Sequence, residues 1–376
     1  MAGGKTRNNE TSPFAPGVID LFCGAGGLSC GFRDAGFTVL AGIDNWEDAL
    51  VTYRHNFPGT KTINADIKNI TVKEIDALLK RDAKEIDVII GGPPCQGFSV
   101  SGKRLMNDPR NKLYKSFVSL VAHYKPKLFV MENVPGVMRL FNGKVKEQII
   151  TDFAAIGYNV ETALLSAQDY GVPQQRKRVF FAGINPAKIK NVTSFKFPNV
   201  THGNDNNLIP FVTVKDAISD LDFIPDDIAL DDCIDYKLPA LNGYQKLMRK
   251  KSKKLYNHVA VIHTKRTKQI IAMVPDGGNY KDLPKELWET RKVHIAWTRM
   301  NSARPCFTID TGHNHHFHYK ENRVPTVRES ARIQSFPDAF LFFGIKTSQF
   351  RQVGNAVPPM LSKAIAAKVY ATIKKG

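Results

Sequence analysis

Residues 88–99 read VIIGGPPCQGFS, an apolar run followed by a loop rich in glycine and proline, and the rest of the chain is organised around the segment 91–99. An apolar run followed by Gly and Pro predicts a buried strand that ends at the carboxyl edge of a sheet, where open α/β sheets bind their ligands. Prolines stiffen the following loop, and glycines let another molecule approach closely. Cys95 in this loop is either a small core residue or, as the Pro-Pro-Cys-Gln setting favours, a rigidly presented thiolate nucleophile.

Strands and helices alternate on both sides of this stretch. We predict strands at 18–22, 37–43, 62–66, 86–90, 127–131, 158–166 and 179–183, and helices at 28–35, 46–56, 71–82, 113–123 and 144–156. Such alternation predicts an α/β fold with a mostly parallel sheet and helices on both faces. The alternation of strands and helices is not seen from about 190 to 325. It returns at 328–333 and in a C-terminal helix whose core-facing stripe is Leu361, Ile365, Val369 and Ile373.

Size and composition limit the class of protein. The chain has 376 residues, 43% hydrophobic and 23% charged, as in a water-soluble globular protein of two domains or one domain with an insertion. No apolar run approaches the roughly 18 residues of a membrane span, and the polar N-terminus does not predict a secretory signal. Five cysteines without a CxxC pair argue against a disulfide scaffold or structural zinc. We therefore expect a cytoplasmic protein.

The positive charge is localised. The formal net charge is +18, and residues 237–300 contain 15 Lys or Arg against 4 Asp or Glu. Residues 216–235, in contrast, contain eight Asp and no Lys or Arg. A localised basic surface indicates polyanion binding, although a solvated Lys-rich surface is the simpler alternative.

A second glycine-rich loop, DLFCGAGG at 20–27, lies where the first strand turns into a helix. Glycines there allow a ligand to lie against bare backbone and a helix N-terminus. Ser29 replaces the third Gly of the dinucleotide fingerprint, so a nicotinamide site fits poorly. Asp44 ends the second strand and suits a ribose diol, which indicates an adenosine-type cofactor. Asp66 could accept a hydrogen bond from an adenine amino group or be an ordinary turn residue.

Six ordered motifs resemble those of the cytosine-C5 DNA methyltransferases, of the bacterial restriction–modification type. They are DLFCGAGG at 20–27, GGPPCQGFS at 91–99, MENV at 131–134, PQQRKRVF at 173–180, RESARIQSFP at 328–337 and QVGNAVPP at 352–359. The resemblance covers roughly 13–185 and 326–376, about 60% of the chain. It implies a Rossmann-like S-adenosylmethionine-dependent methyltransferase sheet, with a smaller, irregular target-recognition domain inserted before the C-terminal helix.

The resemblance implies a covalent mechanism on a cytosine flipped out of duplex DNA. Cys95 would add to C6 as a thiolate while Glu132 assists at N3, and the methyl group of S-adenosylmethionine would pass to C5. Elimination would then release 5-methylcytosine, with S-adenosylhomocysteine as the second product. Arg178, with Arg176 as a weaker candidate, would hold the pyrimidine O2 and the target phosphate.

The same resemblance implies a set of cofactor contacts. Family members often have a bulky residue directly after the ribose-binding acid, whereas this chain has Asn45 followed by Trp46. Either Trp46 covers the adenine through a shifted turn, or the adenine is less enclosed. The expected cofactor-binding residues are Phe22, Cys23, Gly24, Ala25, Gly26, Gly27, Asp44, Asn45, Trp46, Asp66, Ile67, Pro93, Leu113, Asn355 and Val357.

DNA would be bound by two parts of the chain. Residues 97–112 would form a mobile lid, and residues 195–325 would be the target-recognition domain, in which Lys suits phosphates and Arg suits base edges. The Asp-rich stretch 216–235 should face away from DNA. The run HNHHFH at 313–318 lacks neighbouring cysteines, so we expect no metal there. The candidate DNA-binding residues are Ser99, Ser101, Lys103, Arg104, Arg110, Lys265, Arg266, Arg291, Arg299 and Arg304.

These inferences define three segments and one function. We predict a disordered tail at 1–12, a catalytic domain at 13–194 plus 326–376, and the recognition domain at 195–325. The predicted function is site-specific methylation of double-stranded DNA. We expect the protein to act in the cytoplasm, at the bacterial nucleoid, as a monomer that makes no membrane contact. A separate restriction endonuclease is a possible partner. Two alternatives remain: the same chemistry on tRNA, which Cys306-Phe307-Thr308 weakly suggests, and a non-catalytic DNA-binding relative.

Overall fold

A seven-stranded sheet forms the centre of the molecule. The computed structural model describes residues 15–80, 86–94, 112–224, 233–288, 297–311 and 316–375. The strand order is β3-β2-β1-β4-β5-β7-β6, and only β7 runs antiparallel to its neighbours. This confirms the predicted mostly parallel α/β sheet. The strands are β1 (Gly17–Leu21), β2 (Thr38–Asp44), β3 (Lys61–Asn64), β4 (Val88–Gly91), β5 (Leu128–Asn133), β6 (Asn159–Ser166) and β7 (Lys177–Ile184).

The five helices predicted before residue 190 lie close to their predicted positions. The largest difference is at α3, which ends at Leu79 because Lys80, with a φ of 49°, adopts the left-handed conformation. The helices are α1 (Gly27–Asp34), α2 (Glu47–Asn56), α3 (Val72–Leu79), α4 (Lys112–Tyr124), α5 (Lys144–Ala155), α6 (Val214–Ile218), α7 (Gly243–Arg249), α8 (Lys265–Met273), α9 (Val327–Ile333), α10 (Lys346–Asn355) and α11 (Pro359–Lys375).

Both faces of the sheet are covered, because successive strand residues point to opposite sides. Ile90 and Val130 are buried in one core with α1, α2, α10 and α11. Ile89 and Phe129, their chain neighbours, are buried in a second core with α3, α4 and α5. These near-continuous apolar strands are typical of a sheet buried on both faces.

The C-terminal helix returns to the start of the chain, as predicted. Its stripe of Leu361, Ile365, Val369 and Ile373 is buried, and α11 packs against α1. The Ser362 hydroxyl donates to the Leu28 carbonyl at 2.6 Å. A Cβ on Gly31 would lie 2.4 Å from the Lys363 nitrogen, so only glycine permits this close approach.

The described residues of the irregular region contain little regular structure beyond α6 to α8. Two short strand pairs occur there: β8 (Cys233–Ile234) with β9 (Leu255–Tyr256), and β10 (Thr298–Arg299) with β11 (His316–Phe317). Small apolar clusters stabilise it, one of which includes Ile333 from α9. The proposed boundaries at 195 and 325 stay a prediction.

Buried ion pairs connect this region to α9. Arg332 donates to Asp338 and to Asp220 at 2.7 Å each, and all three side chains are fully buried. Asp222 accepts a hydrogen bond from Tyr319. Asp220 and Asp222 thus make internal contacts, and the expectation that the Asp-rich stretch faces away from DNA stays a prediction. Residues 225–232 of that stretch lie outside the described part of the chain.

Candidate active site

A cavity of about 570 Å³ lies where β1, β2, β4 and β5 end. Its position at the carboxyl edge of the sheet is where α/β folds bind ligands. Fourteen of the fifteen residues expected to bind a cofactor line it. They are Phe22, Cys23, Gly24, Ala25, Gly27, Asp44, Asn45, Trp46, Asp66, Ile67, Pro93, Leu113, Asn355 and Val357.

Gly26 is the fifteenth residue, and it is absent from the cavity lining that the described residues form. It caps α1 with a φ of 97°, and an added Cβ would lie 2.4 Å from the Phe57 ring. Gly27 has a similar steric reason, since its Cβ would be 2.4 Å from the Val357 carbonyl oxygen. The loop glycines therefore allow the α1 N-terminus to pack tightly beneath the cavity.

Asp44 organises one end of the cavity. One carboxylate oxygen accepts the Gly24 N–H at 2.8 Å, and the other accepts the Trp46 N–H at 2.9 Å. Burial raises the pKa of Asp44, whereas these backbone hydrogen bonds and the Arg351 charge oppose the rise. A carboxylate can accept about four hydrogen bonds, so both oxygens keep capacity for ligand hydroxyls.

Asn45 and Trp46, which differ from the usual family pattern, both line the cavity. Asn45 is exposed at the rim, whereas Trp46 is half-buried and presents its ring to the cavity. Trp46 is the N-cap residue of α2 and has an extended backbone. The Arg351 guanidinium lies over its ring, 4.5 Å from the ring centre. Trp46 and Phe22 are the aromatic residues among those that line the cavity in the described part of the chain.

Glu132 and Arg178 form the other end. Because β5 and β7 pair, the Arg178 Nε lies 2.8 Å from Glu132 Oε1. Burial raises the pKa of Glu132, although Arg178 and then Arg176 counteract part of that rise. Glu132 Oε2 would be 2.8 Å from a Cβ on Gly92, so the carboxylate lies directly against the end of β4.

The β4 loop is held to β5 at the same place. Asn133 donates its side-chain N–H to the Pro93 carbonyl at 3.2 Å. A Cβ on Gly91 would lie 2.0 Å from the Leu21 carbonyl oxygen, which explains the first glycine of the motif. Cys95, the predicted nucleophile, follows Pro94 directly but lies outside the described residues.

Arg176 lines the cavity, but its terminal nitrogens have protein partners. They donate to the carbonyl oxygens of Ile309 at 3.1 Å and Gly354 at 2.7 Å. Gln174 accepts the Ile309 N–H at 3.0 Å. These contacts tie β7 to the irregular region and to the end of α10. Arg178 instead pairs with Glu132 and donates to the Lys177 carbonyl at 2.8 Å.

Asp20 and Arg351 line the cavity and were missed from the sequence. Asp20 accepts a hydrogen bond from Ser29 at 2.6 Å, and burial raises its pKa to about 7. Its place at the start of the DLFCGAGG motif was the available signal. Arg351 has no comparable signal, since it reaches Trp46 across 305 residues of sequence and simply precedes the QVGNAVPP motif.

The candidate DNA-binding residues are only partly described. Lys265, Arg266 and Arg304 are exposed, as a DNA contact requires. Arg299 is a correction: it is buried and donates to the carbonyls of Val274, Ile271, His318 and Glu321 and to Asn322, so it is a structural residue and not a base reader. Those outside the described residues are Ser99, Ser101, Lys103, Arg104, Arg110 and Arg291.

The rest of the described chain adds two findings. None of its helices has the length and apolar character that crossing a membrane requires. No group of three or more His, Cys, Asp or Glu side chains in the described ranges is arranged to hold a metal ion. Of the 313–318 run, His316 and His318 are buried, and residues 312–315 are among those not described.

Comparison with known proteins identifies the family. The family model for C-5 cytosine-specific DNA methylases matches residues 17–371, nearly the whole chain. The chain belongs to this family. It is a DNA cytosine-5 methyltransferase, and the resemblance that the six motifs indicated is confirmed.

Named relatives of this methylase cover most of its length. The type II methyltransferase M.DdeI of Desulfomicrobium norvegicum is 37% identical over 94% of this chain and 88% of the relative. The type II methyltransferase M1.HphI of Haemophilus parahaemolyticus is also 37% identical, over 93% of this chain and 86% of the relative.

Solved structures resemble the methylase along the whole chain. An E. coli prophage protein described as a DNA modification methyltransferase has a TM-score of 0.79 and 30% identity, covering 96% of this chain and all of that one. A Spodoptera frugiperda DNMT2 structure has a TM-score of 0.59 over 96% of this chain and all of that one. At 17% identity the second likeness shows a shared fold alone.

Proposed function

We propose that this methylase transfers a methyl group from S-adenosylmethionine to C5 of a cytosine flipped out of duplex DNA. The observation that carries the proposal is the position of the Glu132–Arg178 pair. The Glu132 carboxylate lies against Gly92, and Gly92 is three residues before Cys95 in the sequence. Its type II relatives support a role in a restriction–modification system. We further propose that it acts as a cytoplasmic monomer beside a separate endonuclease.

The cavity suits S-adenosylmethionine, which methyltransferases generally use. Its volume of about 570 Å³ lies within the range of small-molecule sites, roughly 300–1,000 Å³. Asp44 would accept the ribose hydroxyls, and Trp46 would cover the adenine. Asp66, which already accepts the Lys68 N–H at 3.1 Å, would accept the adenine amino group. When bound, S-adenosylmethionine supplies an electrophilic methyl group and leaves as S-adenosylhomocysteine.

C5 of cytosine is a weak nucleophile, so the ring must first be activated. The Cys95 thiolate would use an electron pair to form a bond to C6, while the ring electrons shift toward N3. Glu132 would donate a proton to N3, and burial favours the protonated form that this step needs. Arg178 orients the Glu132 carboxyl and would hold the pyrimidine O2. After methyl transfer to C5, N3 would return its proton to Glu132. The C5 proton would then leave to water, and its electron pair would re-form the C5–C6 double bond as the bond between sulfur and C6 breaks, which restores the aromatic ring and the thiolate.

The target base must leave the DNA stack before Cys95 can reach C6, at a cost of a few kcal/mol. Residues 97–112 would close over the DNA as a lid. Within residues 195–325, the exposed Lys265 and Arg266 at the start of α8 would contact phosphates, and Arg304 would reach toward base edges. Phosphate contacts would supply affinity, and the sequence choice would come from the base contacts.

Mechanism-based trapping tests this proposal. The protein would be incubated with S-adenosylmethionine and either duplex DNA or tRNA that contains 5-fluorocytosine, whose C5 fluorine blocks the final elimination. We expect a covalent complex with DNA that survives denaturing gels, and none with Cys95→Ser. A complex formed on tRNA alone would replace the DNA proposal with the tRNA alternative. A complex retained by Cys95→Ser would refute Cys95 as the nucleophile.

A further inference from the structure

Arg351 and Trp46 form a stacked pair at the rim of the cavity. The guanidinium carbon is 4.5 Å from the centre of the Trp46 ring, within the range of about 6 Å for a cation–π contact. Both side chains line the cavity, and Arg351 is otherwise exposed to solvent. The pair therefore lies where a ligand would meet it.

The two helices that carry the pair are fixed to each other. Thr52 of α2 donates to Gln352 of α10 at 2.6 Å, and both side chains are buried. Gln352 also donates to the Phe343 carbonyl at 2.9 Å. Since Trp46 caps α2 and Arg351 directly precedes Gln352, this connection sets the position of the guanidinium over the ring.

Trp46 is also joined to Asp44 through its backbone, at 2.9 Å. Arg351 thus lies over the aromatic face that we assign to the adenine, while the backbone of the same tryptophan holds the carboxylate that we assign to the ribose. Its charge favours the ionised form of that carboxylate, because it opposes the rise in the Asp44 pKa that burial causes. One residue can therefore influence two contacts with the same ligand.

We propose that Arg351 is a positioning residue for the cofactor, which holds the Trp46 ring over the adenine and keeps a positive charge beside Asp44. This inference rests on the proposed function, because it requires S-adenosylmethionine in the cavity. Because Arg351 stacks on the ring that we assign to the adenine, we expect it to act on cofactor binding and not on the chemical step.

The test is a double-mutant cycle on the full-length protein, with S-adenosylhomocysteine titrated in a calorimeter. We expect Arg351→Met to weaken binding about fivefold, the scale of a partly exposed cation–π contact. Arg351→Lys keeps the charge and should recover part of the loss. In a Trp46→Leu background, Arg351→Met should cost less than about twofold, because the partner ring is gone. The matched control is Arg139→Met, an exposed arginine absent from the cavity lining.

The outcomes separate this inference from the proposed function. With saturating cofactor, the methylation rate of Arg351→Met should match that of the wild type, so that only the cofactor KM rises. If the wild type binds S-adenosylhomocysteine and Arg351→Met binds it equally well, the positioning role is refuted while the proposed function stands. An unchanged fivefold loss in the Trp46→Leu background would refute the action through Trp46. A wild type that neither binds the ligand nor methylates DNA would overturn the proposed function itself.

Discussion

Replacing Arg332 with Met should lower the melting temperature of the protein clearly. The Arg332 guanidinium donates to Asp338 twice and to Asp220 once, each at 2.7 Å, and to the Ala217 carbonyl at 3.1 Å. Removing one partner of a buried pair leaves an uncompensated charge and costs about 3–5 kcal/mol. Two contacts remain in the variant, Tyr236 to Asp338 and Arg249 to Asp220, which favours the lower half of that range.

The free energy converts into a shift of the melting midpoint. At about 2.1 cal/mol/K per residue, the 376 residues give an unfolding entropy of about 0.8 kcal/mol/K. A loss of about 3–4 kcal/mol then lowers the midpoint by roughly 4–5 °C, provided that the chain unfolds in one transition. Differential scanning calorimetry at pH 7.5 measures this directly and shows whether the transition is single.

Two variants serve as controls. Arg332→Lys keeps the charge but not the planar fork that reaches both carboxylates, so its midpoint should lie between those of the wild type and Arg332→Met. Arg54→Met removes a solvent-exposed arginine that pairs with Glu47, a type of pair worth about 0–1 kcal/mol. If Arg332→Met melted within 1 °C of Arg54→Met, the proposed contribution of the buried ion pairs would be wrong.

Three further predictions concern chemistry, packing and pH. Glu132→Gln should lower the methylation rate by about 10²–10⁴ while S-adenosylhomocysteine affinity stays within twofold, since general acid assistance is lost and the cofactor contacts remain; an unchanged single-turnover rate would rule out proton donation. Gly354→Ala should destabilise by about 1–3 kcal/mol, because its Cβ would lie 2.1 Å from the Asp310 carbonyl oxygen, whereas Gly136→Ala has open space and should not; equal urea midpoints would contradict this. Burial lowers the pKa of His258 to about 4, below its unfolded value of about 6.5. Between these two pH values the unfolded chain binds more protons than the folded chain, so the stability of the fold falls as the pH drops from about 6.5 toward 4. His258→Gln should show a shallower decline of the melting midpoint over that range, and an equally steep one would exclude His258 as the source.

The sheet and the cavity could be predicted because local signals agree with the global fold. An apolar run that ends in glycine or in an acidic residue marks the end of a buried parallel strand, and all such ends meet at one edge. The loop at 20–27 and the residues Asp44 and Glu132 therefore converge without any knowledge of distant contacts. The buried face of α11 could also be predicted, because its apolar residues are spaced four positions apart.

The sequence does not show which charged side chains are buried. Arg299 looked like a base reader because it lies in a basic segment, but its guanidinium donates to the carbonyl oxygens of Ile271 and Val274 at the end of α8. Asp220 lies in the Asp-rich stretch, but its carboxylate is buried against Arg332, 112 positions away in the sequence. Such pairs depend on how the irregular region folds against α9, and no local periodicity encodes that arrangement.

The measurement that tests the central claim most directly is bisulfite sequencing of plasmid DNA from cells that express the protein, beside cells that express Cys95→Ser. We expect cytosines to be protected from conversion within one short recurring sequence in the wild-type sample, with no protection above background for Cys95→Ser. Complete conversion in the wild-type sample would contradict DNA methylation by this enzyme. Equal protection in both samples would contradict the covalent mechanism.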